Sequence, residues 1–318
     1  MTGLLDDPGS DRVHRGLGKA TAFDPERSRT AMPIVVTGAT GHLGRLVVEE
    51  LLARGVPSNE VVATGRAIDK IKDLAGRGVR AEAIDYDEPD TLRRAFAGAD
   101  KVLLISGTEV GRRVVQHRNV IAAAAEAGVG LLAYTSIANA DRSTMRMAGD
   151  HRATEEALAV AALPVTILRH SWYLENYTGQ LPVFLQHGAI LGSAGEGRVS
   201  AATRADYAAA AATVLTSDGH AGRAYELGGD SAFSMAELAA TITELSGREV
   251  MYRDLAEQEY AAALTAAGLP EPYAAALADS DRGLARGELL VGNRDLSRLA
   301  GRPTTSMPEA VASALASM

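Results

Sequence analysis

Three features of the 318-residue chain predict an α/β fold built on a doubly wound parallel sheet. Short apolar runs of the fully buried strand type alternate with amphipathic helical stretches from residue 33 to about residue 170. A glycine-rich turn follows the first of those runs. Hydrophobic residues make up 47% of the chain, enough for a sizeable core, while aromatics reach only 4%, so small and branched aliphatic side chains must fill it.

Strands are expected at 34–37, 61–64, 81–84, 101–105, 131–134 and 165–168, and helices at 42–54, 68–75, 89–97, 110–127 and 149–161. An alternation this regular means parallel strands, covered on both faces and joined by right-handed crossovers. Beyond about residue 170 it weakens. Helices at 204–215, 235–246, 256–267 and 308–316 are separated by short strands at 224–227 and 250–253, with Gly and Pro clustered at 188–197, 268–272 and 301–303. The division expected is a flexible arm over 1–31, a nucleotide-binding domain over 32–170, and a smaller C-terminal α/β substrate domain over 171–318. The chain is expected to cross between the last two more than once. The arm is read from its mixture of Gly, Pro, Asp and Arg without a hydrophobic period.

Net charge is −8 and no Lys/Arg-rich block interrupts it, which argues against nucleic acid as a partner. Cysteine is absent, which excludes disulfides, thiolate metal sites and a cysteine nucleophile. No apolar run approaches the ~20 residues of a membrane span, and no signal-peptide apolar region opens the chain. A cytoplasmic protein without a membrane partner is therefore expected, and association of identical copies is left open.

Thr37 to Gly44 reads TGATGHLG, a GxxGxxG turn between a buried strand and an amphipathic helix. Gly38 permits the tight turn, Gly41 lets backbone approach a pyrophosphate, and Gly44 lets the helix lie close to the strand. Unpaired helix-start amides near Thr40, His42 and Leu43 would face an anion. This is the phosphate-binding turn of a Rossmann-type fold. At the tip of the second strand an NAD site would carry an acid for the ribose hydroxyl. Here the residue is Arg66, with Lys70 a turn further on, which points to the 2′-phosphate of NADP(H). Asp85 and Tyr86, after the third strand, are candidates to flank the adenine, and a helix N-cap is the other reading of Asp85. Strand carboxyl ends line the ligand crevice of such sheets. Ser106, Gly107, Thr108 and Glu109, then Ser136, then His170, Ser171, Trp172 and Tyr173 are accordingly expected around the nicotinamide and substrate.

These residues resemble a known family. TGATGHLG, the arginine of strand two, HRATEEAL followed by LPVTILRHSWYLENY, and GSAGEGRVSAATRADYAAAAATVL are similar to the NmrA-like atypical short-chain dehydrogenases. The nearest branch is that of the type 2 NAD(P)H:quinone oxidoreductases and triphenylmethane reductases. The likeness runs from about residue 33 to 315 and takes in LADSDRGLARGELL and LSRLAGRPTT. It implies an NADPH-bound Rossmann domain with a quinone site in the cleft beside a small C-terminal domain. It also implies that Gly38 to Leu43, Arg66, Ser106 to Glu109 and His170 to Tyr173 surround the cofactor.

One departure from the wider superfamily follows from counting. Short-chain dehydrogenases commonly protonate their substrate through a Tyr-xxx-Lys pair, but lysine occurs here only at Lys19, Lys70, Lys72 and Lys101. No tyrosine has a lysine four residues later, and His151 stands where many NmrA-like reductases place a lysine. A ketone resists hydride unless its oxygen is protonated or polarised. A quinone or cationic dye is already electrophilic and needs mainly positioning.

The remaining candidates are few. His151, His170 and Tyr173 are the candidate catalytic residues, and Ser136 is expected to line the cofactor pocket. Trp172, Tyr173 and Tyr177, with Phe184 nearby, suit stacking on a flat substrate, the other reading being an aromatic core; Asn176 is a candidate to bind a quinone oxygen, a helix cap being its other reading. No metal is expected, since His151 and Glu155 share a helix face but lack a third ligand. Asp206 is expected to stabilise its helix start. The function these readings converge on is NADPH-dependent reduction of quinones or similar flat electrophiles by direct hydride transfer. A non-catalytic NADP(H) sensor and a reductase of a biosynthetic intermediate are the alternatives.

Overall fold

In the first half of the chain the buried apolar runs become β1 (Ile34–Val36), β2 (Val61–Gly65), β3 (Arg80–Ala83), β4 (Lys101–Leu104), β5 (Leu131–Ile137) and β6 (Val165–His170). Five more strands follow: β7 (Ala189–Gly192), β8 (Arg198–Val199), β9 (Ala224–Leu227), β10 (Phe233–Ser234) and β11 (Met251–Asp254). The computed structural model describes residues 32–109 and 111–318, and the arm expected at 1–31 lies outside the described residues. Residues 32–318 form one compact unit. Its main sheet has seven strands in the order β3-β2-β1-β4-β5-β6-β9, every neighbouring pair parallel. The order reverses between β1 and β4, so a crevice opens there at the carboxyl ends of the strands.

Helices cover both faces. On one side lie α1 (His42–Ala53), α8 (Arg204–Thr216) and α12 (Asp295–Ala300), packed with β1, β2 and β9 around Val47, Val48, Leu51, Tyr207, Leu215 and Leu296. Five consecutive alanines, Ala208 to Ala212, are buried in α8, and that lack of bulk lets α8 lie close against α1. On the other side α3 (Pro89–Phe96), α4 (Arg113–Glu126) and α5 (Arg146–Ala159) bury Leu92, Phe96, Val120, Tyr134 and Leu158. A third core gathers Phe184, Ile190, Phe233, Leu238 and Val311 from α7 (Leu181–His187), α9 (Met235–Ser246) and α13 (Met307–Ala316) with the small β7–β11 and β8–β10 pairs. The segment after residue 170 thus supplies both this core and the seventh strand of the main sheet.

The structure differs from the expected elements where polar residues join strands. β5 runs on to Ile137 and β6 to His170, in register up to Ile137 opposite His170, because the polar side chains there have partners of their own. The helix expected at 68–75 is a 3-10 turn (Ile68–Ile71) followed by the short α2 (Lys72–Gly76). Ile71 and Leu74 are its only buried side chains, too few to anchor a longer stripe. The helix α11 (Glu271–Ala285) falls partly across the expected Gly/Pro loop. Its buried face is carried by Ala274, Ala278, Gly283 and Leu284, a weak apolar signal. Between α9 and α11 lies α10 (Glu257–Ala266), with no buried side chain.

Asp206 sits fully buried at the start of α8 and closes a capping box with Thr203. It also accepts hydrogen bonds from Arg302 Nη1 at 2.5 Å and the Thr305 amide at 3.1 Å. Asp206→Ala strips all of these at once and leaves the Arg302 charge without its partner, so it should destabilise the fold by about 2–4 kcal/mol. Urea unfolding followed by circular dichroism measures the loss, and a change below about 1 kcal/mol would contradict the assignment.

Candidate cofactor groove and its floor

The turn after β1 is shaped by what cannot fit. Gly38 has φ +62°, a left-handed conformation that favours glycine. A Cβ on Gly44 would stand 2.6 Å from the Gly38 carbonyl carbon and 2.8 Å from Ala39 Cα. Helix α1 therefore starts directly against the turn. Its N-cap is Gly41, which has no side chain to satisfy the first-turn amides. Those amides belong to residues that line a groove of about 400 Å³ along the sheet's carboxyl edge. A bare helix start beside closely approaching backbone is the arrangement a pyrophosphate requires. The residues present fit a dinucleotide.

The groove brings together Gly38, Thr40, Gly41, His42, Leu43, Arg66, Asp85, Tyr86, Ser106, Gly107, Thr108, Glu109 and Tyr173, all anticipated from sequence. Tyr86 forms its back wall: its hydroxyl donates to Thr37 Oγ1 at 2.5 Å and lies 3.1 Å from the Ile105 carbonyl. Burial keeps that phenol protonated well beyond the physiological range. Asp85 does not cap α3, whose N-cap is Glu88. Instead its Oδ1 accepts from the Asp87 amide at 3.0 Å, an Asx turn that holds the loop after β3. The Arg66 guanidinium meets Glu109 at 2.5 Å.

Sequence reasoning missed two polar residues of the lining, Gln116 and Arg204. Arg204 opens α8, stacks its guanidinium 4.4 Å from the Tyr173 ring centre and donates to Asn176 Oδ1 at 3.1 Å, with Glu175 at 3.5 Å. The segment ATRADYAAA carried the signal, since a cation at the first turn of a helix opposes the dipole and calls for a compensating partner.

The other expected residues do not line this groove. Ser136 turns its hydroxyl to Glu155 Oε1 at 2.6 Å. Glu155 in turn holds Arg169 at 2.6 Å, and Arg169 reaches Glu226 at 2.9 Å. His151 is buried with Nδ1 2.8 Å from the Tyr134 hydroxyl. His170 stacks on Tyr207 with ring centres 4.2 Å apart, and its Nδ1 lies 3.1 Å from the Tyr173 hydroxyl. Ser171 donates to the Leu289 carbonyl at 2.6 Å. Trp172 and Tyr177 pack partly buried against the C-terminal core, Tyr177 edge-on to Phe233 at 6.0 Å. Asn176 serves Arg204. Among the described residues no group of three or more His, Asp or Glu is arranged to hold a metal ion, and no helix is long and apolar enough to cross a membrane.

The comparisons with known proteins agree with this geometry. The model of an NAD(P)H-binding family matches residues 38–218. Escherichia coli (strain K12) quinone oxidoreductase 2 is 47% identical over 278 residues, covering 87% of this chain and 97% of that protein. An NAD(P)H azoreductase from Xenophilus azovorans is 31% identical over 87% of this chain and 96% of its own. Among solved structures, the E. coli NADPH-dependent quinone oxidoreductase complexed with NADPH superposes with a TM-score of 0.86 at 46% identity, over 89% of this chain and 99% of that one. Citrobacter sp. triphenylmethane reductase complexed with NADP(H) superposes with a TM-score of 0.84 at 38% identity, over 89% and 100%. Fold and groove define the class, an NAD(P)H-binding α/β oxidoreductase. Within that class, the chain belongs to the NmrA-like family.

Three buried histidines give the floor a pH signature. Burial presses the imidazoles down, to about 3 for His117 and His170 and well below the usual value for His151, with the Arg113 charge adding at His117 and His151. Each is neutral in the fold and gains a proton on unfolding below about pH 6.5. Their stabilisation is therefore complete above that value and declines as pH falls from 6.5 toward 3. Asp281 works the other way: burial pushes its carboxyl up to about 6, so it destabilises increasingly as pH rises and offsets part of the histidine effect. For these four groups the expectation is a loss of about 3 kcal/mol between about pH 7 and about pH 5.5. Urea melts at the two pH values test it; equal stability would show that these histidines are not held neutral.

Proposed function

We propose that the protein is an NAD(P)H-dependent reductase of quinones and similar flat, conjugated electrophiles, acting by direct hydride transfer without a tyrosine–lysine acid. The bound dinucleotide supplies the hydride from C4 of its nicotinamide. The first-turn amides of α1 hold the pyrophosphate, Arg66 the adenosine 2′-phosphate, and Asp85 and Tyr86 the adenine end.

The observation that carries the reading is that no anticipated acid is free to serve the groove. Ser136 is committed to Glu155, and His151 is neutral and sealed against Tyr134. Tyr173, the one anticipated catalytic side chain on the groove wall, has its hydroxyl pushed up to about 12 by burial and paired with His170. None of these is an acid poised near neutrality. A substrate whose reduced anion is stabilised by conjugation can accept hydride first and take its proton from water afterwards. The likeness to quinone oxidoreductase 2 over nearly the whole of both chains supports quinones as that substrate. The azoreductase and triphenylmethane reductase likenesses support a wider set of flat acceptors.

The test is turnover with purified protein. A panel of benzo- and naphthoquinones should consume NADPH at a rate proportional to enzyme, while simple aliphatic ketones should not react. His151→Gln should retain quinone turnover within about 3-fold, since no proton passes through it. No quinone-dependent loss of NADPH absorbance across the panel would overturn the reading and leave the cofactor-binding sensor and the reductase of a biosynthetic intermediate.

A further inference from the structure

Around the groove, Arg66 and Glu109 form an ion pair whose partners come from two different loops and both line the cavity. Arg66 directly follows β2 and its side chain is 64% exposed. Its guanidinium has no other acceptor among the described residues. Glu109, in the loop after β4, is held from behind: Oε1 takes Arg66 at 2.5 Å while Oε2 accepts Gln116 Nε2 at 3.1 Å. Gln116 is itself buried and donates a second hydrogen bond to Asp87 Oδ2 at 3.0 Å. The carboxylate is thus fixed and the arginine is the looser partner.

We infer that Glu109 sets the choice between NADPH and NADH by competing with the cofactor's 2′-phosphate for the Arg66 guanidinium. The inference rests on the placement of Arg66 proposed above. A 2′-phosphate drawn to Arg66 meets a guanidinium already engaged by an anion, and must displace Glu109 or share with it. Two like charges on one cation repel, so part of the gain from Arg66 is cancelled. A ribose hydroxyl carries no charge, and a carboxylate accepts its hydrogen readily. The pair therefore weakens the preference for NADPH that an unopposed arginine would give, and permits both cofactors. Asp85 and Asp87 add two more carboxylates to the loops on that side, and Arg112 answers only Asp87, at 2.9 Å.

Direct binding measures the inference without reference to catalysis. Dissociation constants for NADPH and NADH are obtained by calorimetric titration of wild-type protein, Glu109→Gln, Glu109→Ala and Arg66→Gln. Both Glu109 variants should tighten NADPH relative to NADH by about 10-fold, equal to about 1.4 kcal/mol, and the gain should shrink with added salt. Arg66→Gln should weaken NADPH and leave NADH nearly unchanged. If the Glu109 variants leave the NADPH-to-NADH ratio where it is, or weaken NADPH more than NADH, the carboxylate positions the arginine instead and the inference falls. If Arg66→Gln binds NADPH as tightly as wild type, the placement of Arg66 falls with it. Quinone turnover enters none of these outcomes, so a failed substrate assignment is separable from them.

Discussion

Helix α1 begins so close to the turn after β1 that a single methyl group at Gly44 would collide with the Gly38 carbonyl and with Ala39. Much else depends on that approach. It aims the first-turn amides of α1 along the carboxyl edge of the sheet, where the strand order reverses between β1 and β4. It also sets α1 low enough for the alanine face of α8 to pack on its outer side. Arg54, the C-cap of α1, then reaches across to the Ala209 carbonyl at 3.0 Å and the Thr213 hydroxyl at 2.6 Å. Because α8 is so placed, its first residue, Arg204, reaches the groove opposite the glycine turn. The contact that shapes the phosphate cradle thereby positions a wall contributed from much later in the chain.

Beneath the groove the polar residues form closed sets. The Ser136–Glu155–Arg169–Glu226 chain ties β5, α5, β6 and β9 together. Gly107 donates its amide to His117 Nε2 at 3.0 Å, and His117 Nδ1 meets Thr154 Oγ1 at 2.9 Å, which fixes the loop after β4 to α4 and α5. Buried polar groups satisfied in this way are rigid and costly to disturb. Ser136 and His151 are engaged with Glu155 and Tyr134. That commitment underlies our proposal of a substrate that needs orientation more than acid.

How legible this was in the sequence varied with the range of the interaction involved. The glycine turn, the buried strands and the residues ending them could be read because each reflects a local constraint, a backbone conformation or a burial period. The fate of individual side chains depended on partners far away in sequence. Trp172, Tyr173 and Tyr177 were all candidates to stack on a flat substrate. Yet Tyr173 faces the groove, bridged by its backbone to Ala202, while Trp172 and Tyr177 turn toward the core formed by Phe233 and Leu238. Arg66 was visible as a cation at a strand tip, but its engagement by Glu109, 43 residues later, was not. Arg204 was overlooked because Asp206 beside it offered a sufficient local explanation of the helix start. The extensions of β5 and β6 escaped because polar residues end an apolar run, whether or not the fold supplies them with partners.

The central claim is that hydride transfer to the acceptor proceeds without a proton from the protein. Isotope effects on quinone reduction test it most directly, with NADPH deuterated at the transferred C4 position compared in light and heavy water under single-turnover conditions. The account predicts a clear primary effect from the cofactor deuterium together with a solvent effect near unity on the same step. A large solvent effect that multiplies with the primary one would place a proton in flight in the same transition state as the hydride and contradict it.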